Sequence, residues 1–295
     1  MAQPALDVFR ALDQALATAV AKAAPSVVHV SRSHTGGTGI VWAPDLVISA
    51  SFHTPDKTQI GVGTEGDLDL RDAEVIGRDP GTDVALLRVA SGGLTPATFR
   101  ELGDLAVGNL ALAIGRPGRT ARASLRAIGV LGPELRTHHH GKLDRYIESD
   151  RQIPRGFAGG PLIDAEGAVI GMNTRTLVRS TDLAVPTITL RRVVAELQAH
   201  GGIRRGYLGL SAYPARTSSA GTSGGALIAN IEDGSPAATA GLLVGDLIVK
   251  LDGDPITGPD SLRRALAERA DKTVTIAVRR AGADHQVTAT IGSKS

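Results

Sequence analysis

The chain of 295 residues sets 32 Lys+Arg against 30 Asp+Glu, a formal net charge of +2. Its basic residues come as scattered pairs, such as Arg191–Arg192 and Arg279–Arg280, without interleaved aromatics, so a nucleic-acid surface is not expected. Zero cysteines exclude disulfides, zinc-thiolate sites and a cysteine nucleophile, and no run reaches the ~20 consecutive apolar residues of a membrane-spanning helix. At roughly 150 residues per domain the length suggests two domains; with aromatics at 3%, their cores must be packed with Val, Leu, Ile and Ala.

From Ala5 to about Ala23, apolar residues at Leu6, Phe9, Leu12, Leu16 and Val20 keep helical spacing, and A-P-S at Ala24–Ser26 ends the helix. From Val27 to about Val185 the texture changes to short β-type runs broken by Gly, Pro and Asp: S-V-V-H-V-S, G-I-V-W, D-L-V-I-S-A, A-E-V-I-G, D-V-A-L-L-R-V, L-A-L-A-I-G and G-A-V-I-G-M-N. Many short strands with almost no helical period predict an antiparallel barrel or sandwich. A second helix follows, with Thr189 as N-cap, a face of Leu190, Val193, Val194 and Leu197, and a stop at Gly201–Gly202. This helix is read as the domain boundary. The remainder shows strands G-Y-L-G-L, A-L-I-A-N-I and D-L-I-V-K-L, a helix at Ser261–Arg269, and strands V-T-I-A-V-R-R and Q-V-T-A-T-I; Thr217–Gly225 reads as a loop inside this module.

The most informative stretch is R-G-F-A-G-G-P-L at Arg155–Leu162. It resembles the nucleophile loop of trypsin-like serine proteases, G-[DN]-S-G-G-P-[LV], with Ala158 in the serine position. Glycines there let the backbone turn two N–H groups towards one point, an oxyanion hole. Alanine offers no nucleophile.

Taken in order, G-R-D-P-G-T-D-V-A-L-L-R-V, L-A-L-A-I-G, G-F-A-G-G-P-L and R-R-G-Y-L-G-L resemble the high-temperature-requirement A (HtrA/Deg) family from about Ala24 to about Ile291. The resemblance implies a mostly β fold: a trypsin-like double antiparallel β-barrel followed by a PDZ α+β domain, with a short N-terminal helix. The implied division is an N-terminal amphipathic helix at 1–23, a protease-like domain at 24–188, a linker helix at 189–203 and a PDZ domain at 204–292. Asp83 matches the family's catalytic aspartate. The family's histidine sits in [LI]-T-x-x-H-[VC]; the matching I-S-A-S-F-H puts Phe52 at that position and His53 one place later. A one-residue slip along an extended segment turns a side chain to the opposite face, so Phe52 is taken as the occupant and His53 as the alternative base. The implied oxyanion donors are the backbone N–H groups of Gly156 and Ala158.

Serine and histidine act as a unit: losing either costs around 10⁶ in turnover, about 8 kcal/mol of transition-state stabilisation, and losing the second costs little more. The expectation is therefore a catalytically inactive pseudoprotease. The departure of R-Q-I-P-R-G-F from the family's I-N-P-G-N approach favours natural loss over a single engineered change. The alternative is an ATP-independent serine endopeptidase with serine replaced at position 158. Asp83 is then read as a turn residue accepting local backbone N–H groups, with a carboxyl pKa raised by the lost imidazolium. His138–His140 is read as a solvated loop without metal geometry, and no cofactor is expected.

The PDZ-like module keeps its binding chemistry. Successive N–H groups across Gly206–Leu210, with Tyr207, Leu208, Gly209 and Leu210 at the site, suit a peptide's terminal carboxylate, and Leu262, Ala265 and Leu266 are candidates for the apolar groove wall. The expected partners are peptides or unfolded segments, including C-termini, and an active paralogue. The resemblance adds a homo-oligomer, usually a trimer built from N-terminal segments. The start M-A-Q-P-A-L-D-V-F-R has no basic region followed by an apolar core; the expectation is cytoplasmic for a complete chain and periplasmic or envelope if a segment was removed.

Overall fold

The computed structural model describes residues 3–31, 36–63, 68–138, 141–179, 181–216, 224–267 and 269–294. It divides into two compact units, Met1–Ile203 and Arg204–Ser295. In the first, helix α1 (Gln3–Ala23) runs into a 3₁₀ turn at Ala24–Ser26. Its second half carries Leu16, Ala19, Val20 and Ala23 onto the main core, while Leu6, Phe9 and Leu12 in the first half are exposed. Lys22 Nζ donates to Glu166 O at 3.0 Å, tying the helix end to a distant turn.

Six strands close the first barrel: β1 (Val27–Val30), β2 (Gly37–Ala43), β3 (Leu46–Ala50), β4 (Lys57–Val62), β5 (Asp69–Asp79) and β6 (Val84–Val89). Their order is β1-β2-β3-β6-β5-β4, and β1 returns to β4 through His29↔Gly61. The near-continuous apolar run of β6 follows from burial on both faces. Ala85 and Leu87 point into the barrel with Val41 and Val47, whereas Val84 and Leu86 join Ile40 and Ile48 in a core shared with the second barrel.

The second barrel uses β7 (Leu110–Gly115), β8 (Arg122–Gly132), β11 (Tyr146–Ser149), β12 (Pro161–Ile163), β13 (Val169–Thr174) and β14 (Leu183–Pro186), with a small hairpin of β9 (Leu135–Arg136) and β10 (Lys142–Leu143) between β8 and β11. The order β11-β14-β13-β12-β7-β8 closes through β8 and β11. Inside lie Ala111, Ala113, Ile128, Ile147, Leu162, Ile170 and the Phe157 ring.

Helix α2 (Thr187–His200) differs from expectation. It starts two residues earlier, with Pro186 at the N-cap. Thr189 is not the cap: its hydroxyl accepts the Asp144 N–H and donates to Asp144 Oδ2, both at 3.0 Å. Leu190, Val193, Val194 and Leu197 are fully buried in the shared core, so the helix is an integral wall of the first unit.

The second unit pairs β15 (Arg205–Tyr207) with β22 (Gly292–Lys294), and builds a sheet in the order β16-β17-β18-β20-β21 from β16 (Leu210–Arg216), β17 (Gly224–Ile231), β18 (Leu247–Leu251), β20 (Thr273–Arg280) and β21 (Ala283–Thr290), with β19 (Asp254–Pro255) beside β18. Helices α3 (Pro236–Thr239) and α4 (Pro259–Ala267) cover it, α4 beginning two residues before the sequence expectation. Most of the expected Thr217–Gly225 loop, residues 217–223, lies outside the described residues; Gly224 and Gly225 open β17.

Because α2 is core, Leu197→Ala should cost about 2–5 kcal/mol, read as a lowered urea midpoint of the full chain. Glu196→Ala, on the partly exposed face, should change it by less than about 0.5 kcal/mol.

Candidate functional site

Three segments meet at the seam between the barrels. The first is Asp83, which sits just before β6 with φ +57° and is fully buried. Its Oδ1 accepts the Phe52 backbone N–H at 3.0 Å and its Oδ2 accepts the Thr174 hydroxyl at 2.6 Å. The expected local role does not hold: the neighbouring Asp79 caps this turn, taking Gly81 N–H at 3.0 Å and Thr82 Oγ1 at 2.7 Å. Asp83 instead joins the first barrel to the end of β13 in the second. Burial pushes its carboxyl above the ordinary carboxylate value, against opposing hydrogen bonds from Thr174, Phe52 N–H and Thr176 and the nearby His53. The direction is the expected one, but burial is the leading cause.

The second segment is the 3₁₀ turn Ser51–His53. The sequence argument assumed an extended chain here, which the turn replaces. Within it, Phe52 supplies the amide to Asp83, and the residue as a whole is 42% exposed. His53 Nδ1 is buried and finds no hydrogen-bond partner among the described residues.

The third is the loop before β12. Phe157 N–H returns to Pro154 O at 3.2 Å, closing a turn whose third residue, Gly156, has φ +81°, the type II geometry that favours glycine. Thr38 Oγ1 donates to Gly156 O at 2.6 Å and accepts Arg116 N–H at 2.8 Å. A side chain on Gly159 would lie 2.3 Å from Thr38 O and 2.7 Å from Ala50 N, so only glycine lets the loop reach β2 and β3. Ala158 is 2% exposed, and Phe157 fills the barrel interior against Gly115. The N–H groups of Gly156 and Ala158 have no acceptor among the described residues.

Sequence reading missed the supports of this loop. Arg126, on β8, is buried inside the second barrel; its Nη1 donates to Arg151 O at 2.6 Å and its Nη2 to Gln152 O at 2.9 Å. Asp182 Oδ2 accepts Ile153 N–H at 2.7 Å. Of the histidine run, His138 is exposed and the other two lie outside the described residues. No group of three metal-ligating side chains occurs among the described residues.

In the second unit, Gly206 and Tyr207 belong to β15 and Leu210 opens β16, so the expected five-residue amide loop narrows to Leu208 and Gly209. Leu208 O accepts Ala237 N–H and Gly209 O accepts Glu232 N–H, both at 2.8 Å. Across trans peptides the amides of Gly209 and Leu210 therefore point the opposite way. Tyr207 donates to Glu232 Oε2, which raises the phenol pKa, and its ring lies 5.0 Å from Lys294 Nζ. Leu208, Leu262 and Leu266 are buried in the core of this unit and Ala265 is packed at its margin. The leucines thus form a floor more than an open wall.

These features define a trypsin-like peptidase fold joined to a PDZ domain, and family models agree: a trypsin-like peptidase domain matches residues 37–172 and a PDZ domain residues 227–280. The chain is homologous to the DegP/HtrA serine endoproteases. It is 30% identical over 274 residues to a periplasmic DegP-like serine endoprotease of Chlamydia pneumoniae, covering 88% of this chain and 56% of that one. A DegP-like endoprotease of Halomonas elongata is 30% identical over 276 residues, with 90% and 58% covered. The chain thus spans little more than half the length of these relatives. Among solved structures, a serine-to-alanine variant of the HtrA-type protease AlgW with a decapeptide matches at TM-score 0.75 and 25% identity, covering 95% of this chain and 98% of that one. Both relatives are named as periplasmic, which leaves the cytoplasmic expectation without support.

Asp83→Asn separates a structural carboxyl from a poised one. Asparagine tolerates positive φ, accepts Phe52 N–H and can still hydrogen-bond the Thr174 hydroxyl. Since the native pKa lies above the unfolded one, the stability tied to Asp83 is fully present below the unfolded value of about 3.8 and is lost as pH rises through the native pKa. The variant should therefore be at least as stable as the parent at pH 7 and lose that slope in a pH series of melting curves. Asp83→Ala, which strands both donors, should cost about 1–3 kcal/mol.

Proposed function

We propose that this chain is a catalytically inactive HtrA-type protein that binds peptides or unfolded protein segments through its PDZ domain, acting as a scaffold, chaperone or regulatory subunit. One observation supports the reading: Ala158 stands at the position the resemblance gives to the nucleophile, while Phe52, at the position it gives to the base, meets Asp83 through its backbone N–H. Gly156 and Ala158 still offer two N–H groups at the cradle, the oxyanion donors of an active relative. Alone they supply at most about 10³–10⁴ over water. In the PDZ domain, the Gly209 and Leu210 amides suit a terminal carboxylate, over a floor of Leu208, Leu262 and Leu266 with Ala265 at its edge. The periplasm, the compartment in the relatives' names, is the proposed location. A homo-oligomer, or pairing with an active paralogue, is the proposed assembly.

A second reading is a serine endopeptidase carrying alanine at its nucleophile, with His53 as base. Relatives named as serine endoproteases and a solved serine-to-alanine variant favour it. Ala158→Ser separates the two. Alone, it should give no fluorophosphonate labelling and no cleavage of unfolded casein, with turnover still about 10⁶ below an intact triad. Both activities should emerge only when Phe52→His is added. Robust cleavage by the single variant would overturn the first reading in favour of the second.

A further inference from the structure

The outer edge of the PDZ sheet has an uneven supply of backbone donors. Strand β16 is an end strand, hydrogen-bonded on one side to β17. On β17, Ile228 N–H donates to Asp246 O and its carbonyl accepts Gly245 N–H, both at 2.9 Å, so Ile228 turns its polar groups towards β18. By alternation, Leu227 and Gly225 turn theirs towards β16. Their partners in the ladder are Tyr213 and Ala215. Those two residues therefore face into the sheet, while Ala212 and Pro214 face the open edge. Leu210 N–H faces the same edge, because Gly209 O is held on the other side by Glu232 N–H.

An incoming strand with its carboxylate at the Gly209 and Leu210 amides meets Ala212 two residues back, where both an N–H and a C=O are available. Two residues further on it meets Pro214, which has a carbonyl and no N–H. There the peptide's own carbonyl finds only the pyrrolidine ring and no donor, so extending the pairing adds no bond at that position. Tyr213, 68% exposed, and the exposed Pro214 leave this end of the edge accessible.

We infer that Pro214 sets the reading length of the PDZ domain: it recognises roughly the last four residues of a free C-terminus, and pairing stops there. The inference rests on the peptide-binding reading proposed above and adds its length limit. The occupant is an extended peptide with a free terminal carboxylate.

The test uses the full chain and the tightest peptide selected from a random octapeptide library with free C-termini, synthesised as nested tetra-, hexa- and octapeptides and as an octapeptide amide. The tetra- and octapeptide acids should bind within about twofold of one another, and the amide should bind at least tenfold more weakly. Pro214→Ala should tighten the octapeptide several-fold, leave the tetrapeptide unchanged, and show slowed exchange of the new residue-214 amide when the octapeptide is bound. An octapeptide that binds the parent chain more than fivefold tighter than the tetrapeptide would overturn the length limit, whether or not the variant folds. An unchanged octapeptide affinity in a folded variant would do the same. Selection of no acid-dependent peptide would sink the peptide-binding reading itself, a distinct failure.

Discussion

The buried carboxylate of Asp83 is the contact on which the seam depends. One oxygen takes an amide from the first barrel and the other a hydroxyl from the second, so two closed sheets meet around one acceptor. Its environment favours the neutral form. In an active triad a neighbouring imidazole gives such a carboxylate its purpose: it holds the ring's tautomer and stabilises the cation that forms. Here the Phe52 amide and the Thr174 hydroxyl hold the carboxyl in place, so the same atoms serve cohesion between the barrels.

A second tie runs parallel to it. Thr38, on β2, connects Gly156 of the loop and Arg116 at the end of β7 through one hydroxyl, and the loop's approach is held by Arg126 and Asp182 on backbone carbonyls and an amide. None of these contacts requires a serine. This explains how residue 158 can be alanine while the turn around it keeps a positive φ at Gly156.

Much of the fold was legible because burial leaves a one-dimensional trace. Val84–Leu87 is a continuous apolar run since both faces of β6 are covered there, and L-A-L-A-I-G reads the same way. Strand β8 escaped notice because Arg122, Ser124 and Arg126 interrupt its pattern, although Arg126 points inwards; nothing local marks an arginine whose partners lie 25 and 26 residues away. The existence of α2 was readable from its apolar face, but neither its start at Thr187 nor that the face closes the core of the barrels. At the site, the motifs picked out Phe52, Asp83 and Ala158, which lie in the segments that meet at the seam. Thr174 and Thr38 could not be picked out this way, since their partners are 91 and 118 residues distant. In the PDZ domain the Y-L-G-L signature located the amides, whereas which of them point outwards depends on hydrogen bonds from Glu232 and Ala237.

The Phe157 ring has a consequence of its own. Where the resembling proteases carry a polar residue, this chain sinks an aromatic group into the barrel beside Gly115. Polar and ionic anchors respond to salt and protons, but apolar burial responds chiefly to heat, weakening as water cools. The loop therefore carries an apolar mooring beside the polar ones from Arg126, Asp182 and Thr38, and that part of its hold weakens with cooling and is indifferent to ionic strength.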